Sequence, residues 1–102
     1  ASLAEFQNYV KEMKIERGFN LTDKVYECLL MGEEMGELFK AVRKGHAAGH
    51  IDPKSHVGGV AEELADVFIF LLSLANMHGI DLEQAFRDKE EINEKRKWNK
   101  NS

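Results

Sequence analysis

Two pairs of acidic residues, Glu34 with Glu37 and Glu63 with Asp66, interrupt helical patterns of apolar residues. Side chains three positions apart lie on the same face of a helix, so each pair directs both carboxylates to one side. The apolar residues that share those faces are Leu30, Leu38 and Ala41 for the first pair and Val60, Val67 and Phe70 for the second. Carboxylates on a face that packs into a core are costly unless a positive charge neutralises them. A divalent cation is the simplest neutraliser, so the pairs predict a metal-dependent enzyme.

The kind of ligand narrows the choice of metal. Carboxylate oxygens suit a hard cation such as Mg²⁺, with Mn²⁺ as a substitute, and Mg²⁺ keeps water ligands that substrate phosphates can replace. A di-iron carboxylate bundle needs Glu-x-x-His motifs, and the sequence contains none. Glu33 and Glu62 lie one turn from Glu37 and Asp66, so they are candidates for an outer ligand or the general base. The alternative is that both are solvated neighbours, since glutamate-rich helix stretches are usually solvent-facing.

A basic stripe lies near the C-terminal end. Lys89, Asn93 and Arg96 are spaced i, i+4 and i+7, as on one side of a helix. Lysine and arginine neutralise phosphate oxygens, and asparagine can hydrogen-bond phosphate or sugar. Taken alone, residues 89–100 are better interpreted as a solvated helix end, but beside an acidic metal cluster the stripe predicts a metal–polyphosphate site.

The histidines and the single cysteine give weaker indications of a functional site. His46, His50 and His56 lie in a glycine-rich segment, where exposed histidines are more common than metal ligands. His78 at a helix end is most simply a favourable C-terminal charge when it is protonated. Cys28 is expected to pack as a small hydrophobic residue, because no base is near it in sequence.

Four helices and no convincing strand are predicted. They run from about Leu3 to Arg17, from Thr22 or Asp23 to Lys44, from Val60 to His78, and from the cap Asp81 to about Trp98. Ser2 and Glu5 have the form of a capping box, and Gly18, Gly45 and Gly79 are the expected helix stops. Residues 45–59, with the only proline, are the one long connection. The fold class is therefore all-α and four-helix bundle-like, with residues 1–102 as a single domain.

The third helix is apolar on nearly every side after Asp66. Such a helix must be covered all round, and three other short helices can hardly do so in one subunit. A second subunit is therefore expected, as an obligate dimer or a higher oligomer.

Bulk composition describes an ordinary soluble domain. A formal net charge of −4 argues against nucleic-acid binding through a basic surface. The first residues lack the basic region and apolar run of a signal peptide, and the longest apolar stretch, Leu64 to Met77, is too short to span a bilayer and contains Asp66. With one cysteine and no internal disulfide, a cytoplasmic location is expected.

The order of these motifs resembles a known family. Glu33-Glu34-Met35-Gly36-Glu37 followed by Glu62-Glu63-Leu64-Ala65-Asp66 is similar to the EExxE…ExxD signature of the MazG-like, all-α nucleoside triphosphate pyrophosphohydrolases. Glu16-Arg17-Gly18-Phe19 resembles the end of that family's first helix. Gly79-Ile80-Asp81-Leu82-Glu83 resembles the lead into its last helix, and Lys89…Asn93…Arg96…Trp98 resembles its C-terminal basic motif.

The resemblance implies hydrolysis of a nucleotide between its α and β phosphates, giving the monophosphate and pyrophosphate. It implies magnesium bound by Glu34, Glu37, Glu63 and Asp66, phosphates held by Lys89, Asn93 and Arg96, and a base contact at Phe19, where tryptophan is commoner. It also implies a dimer or tetramer. Base and sugar preference cannot be read from the motifs. The competing interpretation is a noncatalytic helical module that binds a partner protein or senses nucleotides without turnover.

Overall fold

The computed structural model describes residues 1–46, except for the side chain of His46, and residues 59–96. Within these ranges the chain forms four α-helices and no strand: α1 (Leu3–Arg17), α2 (Lys24–His46), α3 (Val60–Met77) and α4 (Leu82–Lys95). The all-α expectation is confirmed. Most of the 45–59 connection, with His50 and His56, lies outside the described residues, and so does Trp98.

The helix ends follow local chemistry closely. Ser2 Oγ accepts the backbone N–H of Glu5, and the Glu5 carboxylate accepts the N–H of Ser2, both at 3.2 Å, which completes the expected capping box. Gly18 ends α1 with a φ of 69°, a left-handed conformation that glycine adopts without strain. At α4, Asp81 Oδ1 accepts the N–H of Gln84 at 3.1 Å, as predicted.

Three helix ends differ from the prediction. Helix α2 continues through Gly45 to His46, since a single glycine lowers helix stability only modestly. Helix α3 ends at Met77, and His78 is its C-cap. Helix α4 ends at Lys95, and Arg96 has extended dihedrals (φ −78°, ψ 143°). No apolar side chain follows Ile92 within the described end of α4.

Helices α2 and α3 form the central pair and run antiparallel. Glu27 at the start of α2 contacts Ser73 near the end of α3, whereas Glu34 contacts Glu63 at the start of α3. Helix α1 packs on α3, and the main contacts of α4 are with α1. A small core of Val10, Met13 and Leu72 joins α1 to α3. Two polar contacts tie α1 to the start of α4 at Gln7, whose side chain bonds Ile80 O and the N–H of Leu82, both at 2.9 Å.

A buried polar cluster joins the first three helices. Lys14 of α1, Glu27 of α2 and Ser73 of α3 are only 6%, 2% and 2% exposed. Lys14 Nζ donates to Glu27 Oε2 at 2.5 Å and to Ser73 Oγ at 2.6 Å, and the Ser73 hydroxyl donates to the same carboxylate. Burial raises the pKa of Glu27, but the hydrogen bonds from Lys14 and Ser73 and the charge of Lys14 outweigh it, so the pKa lies below 4.5.

Many large apolar side chains remain exposed in the single chain. Val25, Phe39 and Phe86 are 72%, 64% and 67% exposed, and they lie on α2 and α4. Cys28 is exposed too, so its predicted packing is not present within one chain. The radius of gyration is 17.1 Å, against about 13 Å for a compact chain of about 100 residues. No helix among the described residues is long and apolar enough to cross a membrane.

The Lys14–Glu27 pair makes stability depend on pH. A carboxyl with a lowered folded-state pKa stabilises the fold above its unfolded value of 4.5, and this contribution disappears as pH falls through the folded value. Glu27→Gln should lower the free energy of unfolding by about 3 kcal/mol at neutral pH, because it leaves Lys14 without its counter-charge. In acid the difference from the unmodified chain should shrink.

Urea unfolding followed by circular dichroism at neutral and acidic pH measures both quantities. Glu91→Gln is the matched control, because Glu91 pairs with Lys95 at 3.5 Å on the exposed side of α4. It should leave stability unchanged at either pH. A loss for Glu27→Gln that does not vary with pH would contradict the assignment.

Candidate active site

The α2–α3 pair brings three of the predicted acids together. Glu34, Glu63 and Asp66 each offer a carboxylate oxygen, and these oxygens all lie within 4.8 Å of one another. Glu63 is buried, Glu34 is half-buried and Asp66 is exposed, so the group opens from the helix interface toward solvent. The antiparallel register causes this meeting, since it sets the middle of α2 against the first turns of α3.

Repulsion between the neighbouring carboxylates affects the pKa of Glu34. Burial raises the pKa of this carboxyl, and the charges of Asp66 and Glu63, a hydrogen bond with Glu63 and the charge of Glu37 raise it further. A positive partner would relieve this repulsion. The fold therefore holds Glu34 among acids that disfavour its charged form, and a bound cation would reverse that effect.

The three carboxylates fit a hard cation. Magnesium takes oxygen ligands at about 2.1 Å, so two oxygens on one ion lie at most about 4.2 Å apart. Small side-chain rotations would bring the three oxygens, now within 4.8 Å, into that range. The donor set is all oxygen and anionic, which suits magnesium or manganese better than a transition metal that prefers nitrogen or sulfur.

The other predicted acids lie around this group. Glu37 is exposed and is not one of the three residues whose oxygens converge, although its charge acts on Glu34. Glu33 and Glu62 are also exposed, each next to a member of the group in sequence. In this arrangement Glu34, Glu63 and Asp66 are the core of the candidate site, and Glu37, Glu33 and Glu62 are at its edge.

A pocket of about 430 Å³ adjoins the acidic group. Asp66 is one of its lining residues, and the apolar side chains of Leu30, Ile69 and Phe70 line it as well. Phe19, the residue predicted to contact a base, also lines this pocket. Its volume is in the range of small-ligand sites.

The far part of the pocket is formed by the buried polar cluster of Lys14, Glu27 and Ser73. Glu27 precedes Glu34 by seven residues and Ser73 follows Asp66 by seven, which is about 10 Å along each helix. Sequence reasoning missed this cluster. The signal was available, because each of the three is a polar residue within an apolar helical stripe, which is the criterion that identified the acidic pairs.

The basic stripe lies elsewhere in the chain. Lys89 and Asn93 are on α4, whereas Arg96 lies beyond its end in extended conformation, so the single helical stripe predicted for all three is wrong at Arg96. Helix α4 has its main contacts with α1, and Leu82 at its start packs against the core of Val10, Met13 and Leu72. Within the described ranges, neither Lys89 nor Arg96 forms an ion pair with the acidic group. A single site that combines the acidic and basic groups therefore stays a prediction.

Comparison with known proteins places the motifs in a family. Residues 22–99 match the MazG nucleotide pyrophosphohydrolase domain. A dATP/dGTP diphosphohydrolase of Salmonella phage PMBT28 is 34% identical over 76 residues, which is 74% of this chain. The chain spans only 23% of the length of that phage protein.

Two crystal structures of iMazG from Vibrio DAT 722 have the same fold. The N-terminally tagged form is 35% identical, with a TM-score of 0.68 over 91% of this chain and 94% of the other. The C-terminally tagged form is 34% identical, with a TM-score of 0.71 over 92% of this chain and 99% of the other.

The crowded carboxylates are expected to lower the stability of the metal-free protein and to favour the binding of a cation. Glu34→Gln should raise the melting temperature of the metal-free protein at neutral pH, because it removes one of several repelling charges. Adding Mg²⁺ should stabilise the unmodified chain, by about 2.7 kcal/mol at a hundred times the dissociation constant, and should stabilise the variant much less. Thermal melts with and without Mg²⁺ test both effects.

Glu12→Gln is the control, because Glu12 is exposed on α1 and contacts only Asn8, at 3.5 Å. This variant should have the same melting temperature as the unmodified chain, and Mg²⁺ should raise that temperature by the same amount. A metal response that Glu34→Gln leaves intact would contradict a role for Glu34 in cation binding.

Proposed function

Because the chain belongs to the MazG nucleotide pyrophosphohydrolase domain family, we propose that it hydrolyses nucleoside triphosphates to the monophosphate and pyrophosphate, with Mg²⁺ as cofactor. The observation that carries the proposal is the convergence of Glu34, Glu63 and Asp66 beside a pocket of nucleoside size. Deoxynucleotides are the favoured substrates, with support from the phage relative named for dATP and dGTP. Removal of excess or noncanonical nucleotides would be the corresponding role in the cell.

The metal-binding role falls to Glu34, Glu63 and Asp66, with Glu37 as the fourth candidate ligand. A triphosphate carries about four negative charges, so it cannot approach these carboxylates unless divalent cations are bound. When bound, Mg²⁺ would neutralise phosphate charge and lower the pKa of a coordinated water. Glu63 is the buried member of this ligand set, and a bound cation would offset the repulsion that raises the pKa of Glu34.

The proton of the attacking water needs an acceptor. Glu33 and Glu62 are the candidates for this general base, because each is exposed and adjoins one of the converging acids. In the reaction, the water oxygen bonds to phosphorus, the α–β anhydride bond breaks, and the water proton passes to the base. Pyrophosphate leaves with the electron pair of the broken bond.

Phosphate binding is proposed for Lys89, Asn93 and Arg96, and base contact for Phe19. Phe19 lines the pocket next to the acidic group, in agreement with that role. Helix α4 packs mainly on α1, and we propose that its basic residues act on the site of another copy. We therefore propose a homo-oligomer, a dimer or tetramer, whose interface would cover exposed apolar residues such as Val25, Phe39 and Phe86.

A noncatalytic function is the second candidate. A nucleotide sensor would use the same pocket and cation site, and the exposure of Glu33 and Glu62 is compatible with binding alone. Binding without product distinguishes a sensor from an enzyme.

Product identity tests the reaction class. With Mg²⁺ and a panel of ribo- and deoxynucleoside triphosphates, the chain should release pyrophosphate and the monophosphate, measured by ion-exchange chromatography. Asp66→Asn should reduce kcat/KM by about 100-fold or more, as expected for loss of a charge that holds a catalytic cation. Asp88→Asn is the control, since Asp88 lies on α4 and contacts Gln84. Orthophosphate as the product, or full activity in Asp66→Asn, would overturn the proposal.

Oligomeric state is tested separately. Light scattering at micromolar concentration should give a mass at least twice that of the 11.6 kDa chain. Phe39→Glu should lower the mass or the melting temperature, because it places a charge on an apolar interface. A stable, folded monomer would show that the exposed apolar faces do not require a partner copy.

A further inference from the structure

The buried cluster of Lys14, Glu27 and Ser73 has more polar capacity than its internal contacts use. An ammonium group has three donors, and Lys14 spends two on Glu27 and Ser73. The Glu27 carboxylate has about four acceptor positions, and it accepts from Lys14, Ser73 and Asn20. One donor of Lys14 and one acceptor position of Glu27 therefore remain beyond these contacts, on two side chains that are almost inaccessible to bulk water.

The buried cluster borders the pocket beside the acidic group. Lys14, Glu27 and Ser73 all line it, and so does Asp66 at the acidic group. The two polar layers are about 10 Å apart along the α2–α3 pair, with apolar Leu30 and Phe70 between them. A nucleotide with its phosphates at the acids would thus direct its sugar and base along the apolar walls toward the buried cluster.

We propose that Lys14, Glu27 and Ser73 form the floor of the nucleotide site and select substrates by hydrogen bonding to the outer edge of the base. This inference rests on the proposed function, because it needs the phosphates to lie at Glu34, Glu63 and Asp66. A donor beside an acceptor matches a base edge on which an oxo or amino group adjoins a ring nitrogen. Phe19 lines the same pocket and offers a ring for stacking.

Physical chemistry favours recognition here over a purely structural role. Replacing a buried ion pair by apolar residues is often neutral or stabilising, so holding three helices together does not by itself require a charged cluster. A site built to hydrogen-bond a ligand also rejects analogues that lack the matching group, because its polar atoms are then left unpaired. The cluster would thus reject triphosphates whose base lacks the exocyclic group.

Equilibrium binding tests the proposal without requiring turnover. The probes are three α,β-methylene triphosphates, whose affinities are measured by calorimetry with Mg²⁺. The first carries the base of the natural nucleotide that binds most tightly. The second carries the same ring system without its exocyclic group, and the third carries ribose without a base. The unmodified chain should bind the first about 10- to 100-fold tighter than the second.

The main variant is Lys14→Met with Glu27→Leu, which removes the charges while keeping apolar volume. It should bind the natural analogue about 10- to 100-fold more weakly and should bind the base-free analogue as the unmodified chain does. Ser73→Ala, a smaller change, should act in the same direction if the double variant does not fold. Glu83→Gln with Arg87→Gln removes an exposed ion pair on α4 and should alter none of the three affinities.

If the variants bind all three analogues more weakly by the same factor, the cluster has a structural role and the proposal is overturned. Unchanged affinity of the variants for the analogue with the natural base would also overturn it. Failure of the proposed function has a different signature. In that case Mg²⁺ would release no pyrophosphate from any triphosphate, whereas the base-dependent difference in affinity would persist.

Discussion

The antiparallel register of α2 and α3 is the constraint from which both halves of the site arise. With Glu27 opposite Ser73, Glu34 falls opposite Asp66, because Glu34 follows Glu27 by seven residues and Asp66 precedes Ser73 by seven. Glu63 lies about one turn before Asp66 and joins the same group. A shift of one residue would rotate these side chains by about 100° around the helix axis and separate them. The apolar residues between the polar layers fix the register, and they also form the walls of the pocket.

The α2–α3 pair carries two polar layers: the cluster of Lys14, Glu27 and Ser73, and the acidic group of Glu34, Glu63 and Asp66. They differ in how the charge of the glutamate on α2 is neutralised. At one layer Lys14 supplies the positive charge for Glu27 from within the chain, so the pKa of that carboxyl is lowered and the fold is stabilised. At the other layer no lysine or arginine among the described residues neutralises Glu34, whose pKa is raised. A protein that completed both layers internally would have no place for a cation. The uncompensated layer is therefore the part of the structure where a bound cation would offset the most repulsion.

The sequence predicts well those features that depend on residues close together in the chain, such as the ends of helices. The capping box at Ser2, the glycine stop at Gly18 and the cap at Asp81 depend on side chains within a few positions, and all three are present. The convergence of Glu34 with Glu63 and Asp66 was predictable because two adjacent helices carry matching patterns. The Lys14 cluster needs three helices at once, and the position of α4 depends on packing that no periodicity encodes. Arg96 shows the limit, because its spacing in sequence continues the stripe of Lys89 and Asn93, whereas the helix ends at Lys95.

The position of α4 bears on how a complete site is built. Its basic residues are those that the family resemblance assigns to phosphate binding, and its main contacts are with α1. Phe39 of α2 and Phe86 of α4 are exposed in the single chain. Burial of about 25 cal/mol per Å² of apolar surface favours covering both faces. Association of copies would satisfy this hydrophobic requirement and could bring positive charge to the phosphates, so the same contacts would serve stability and chemistry.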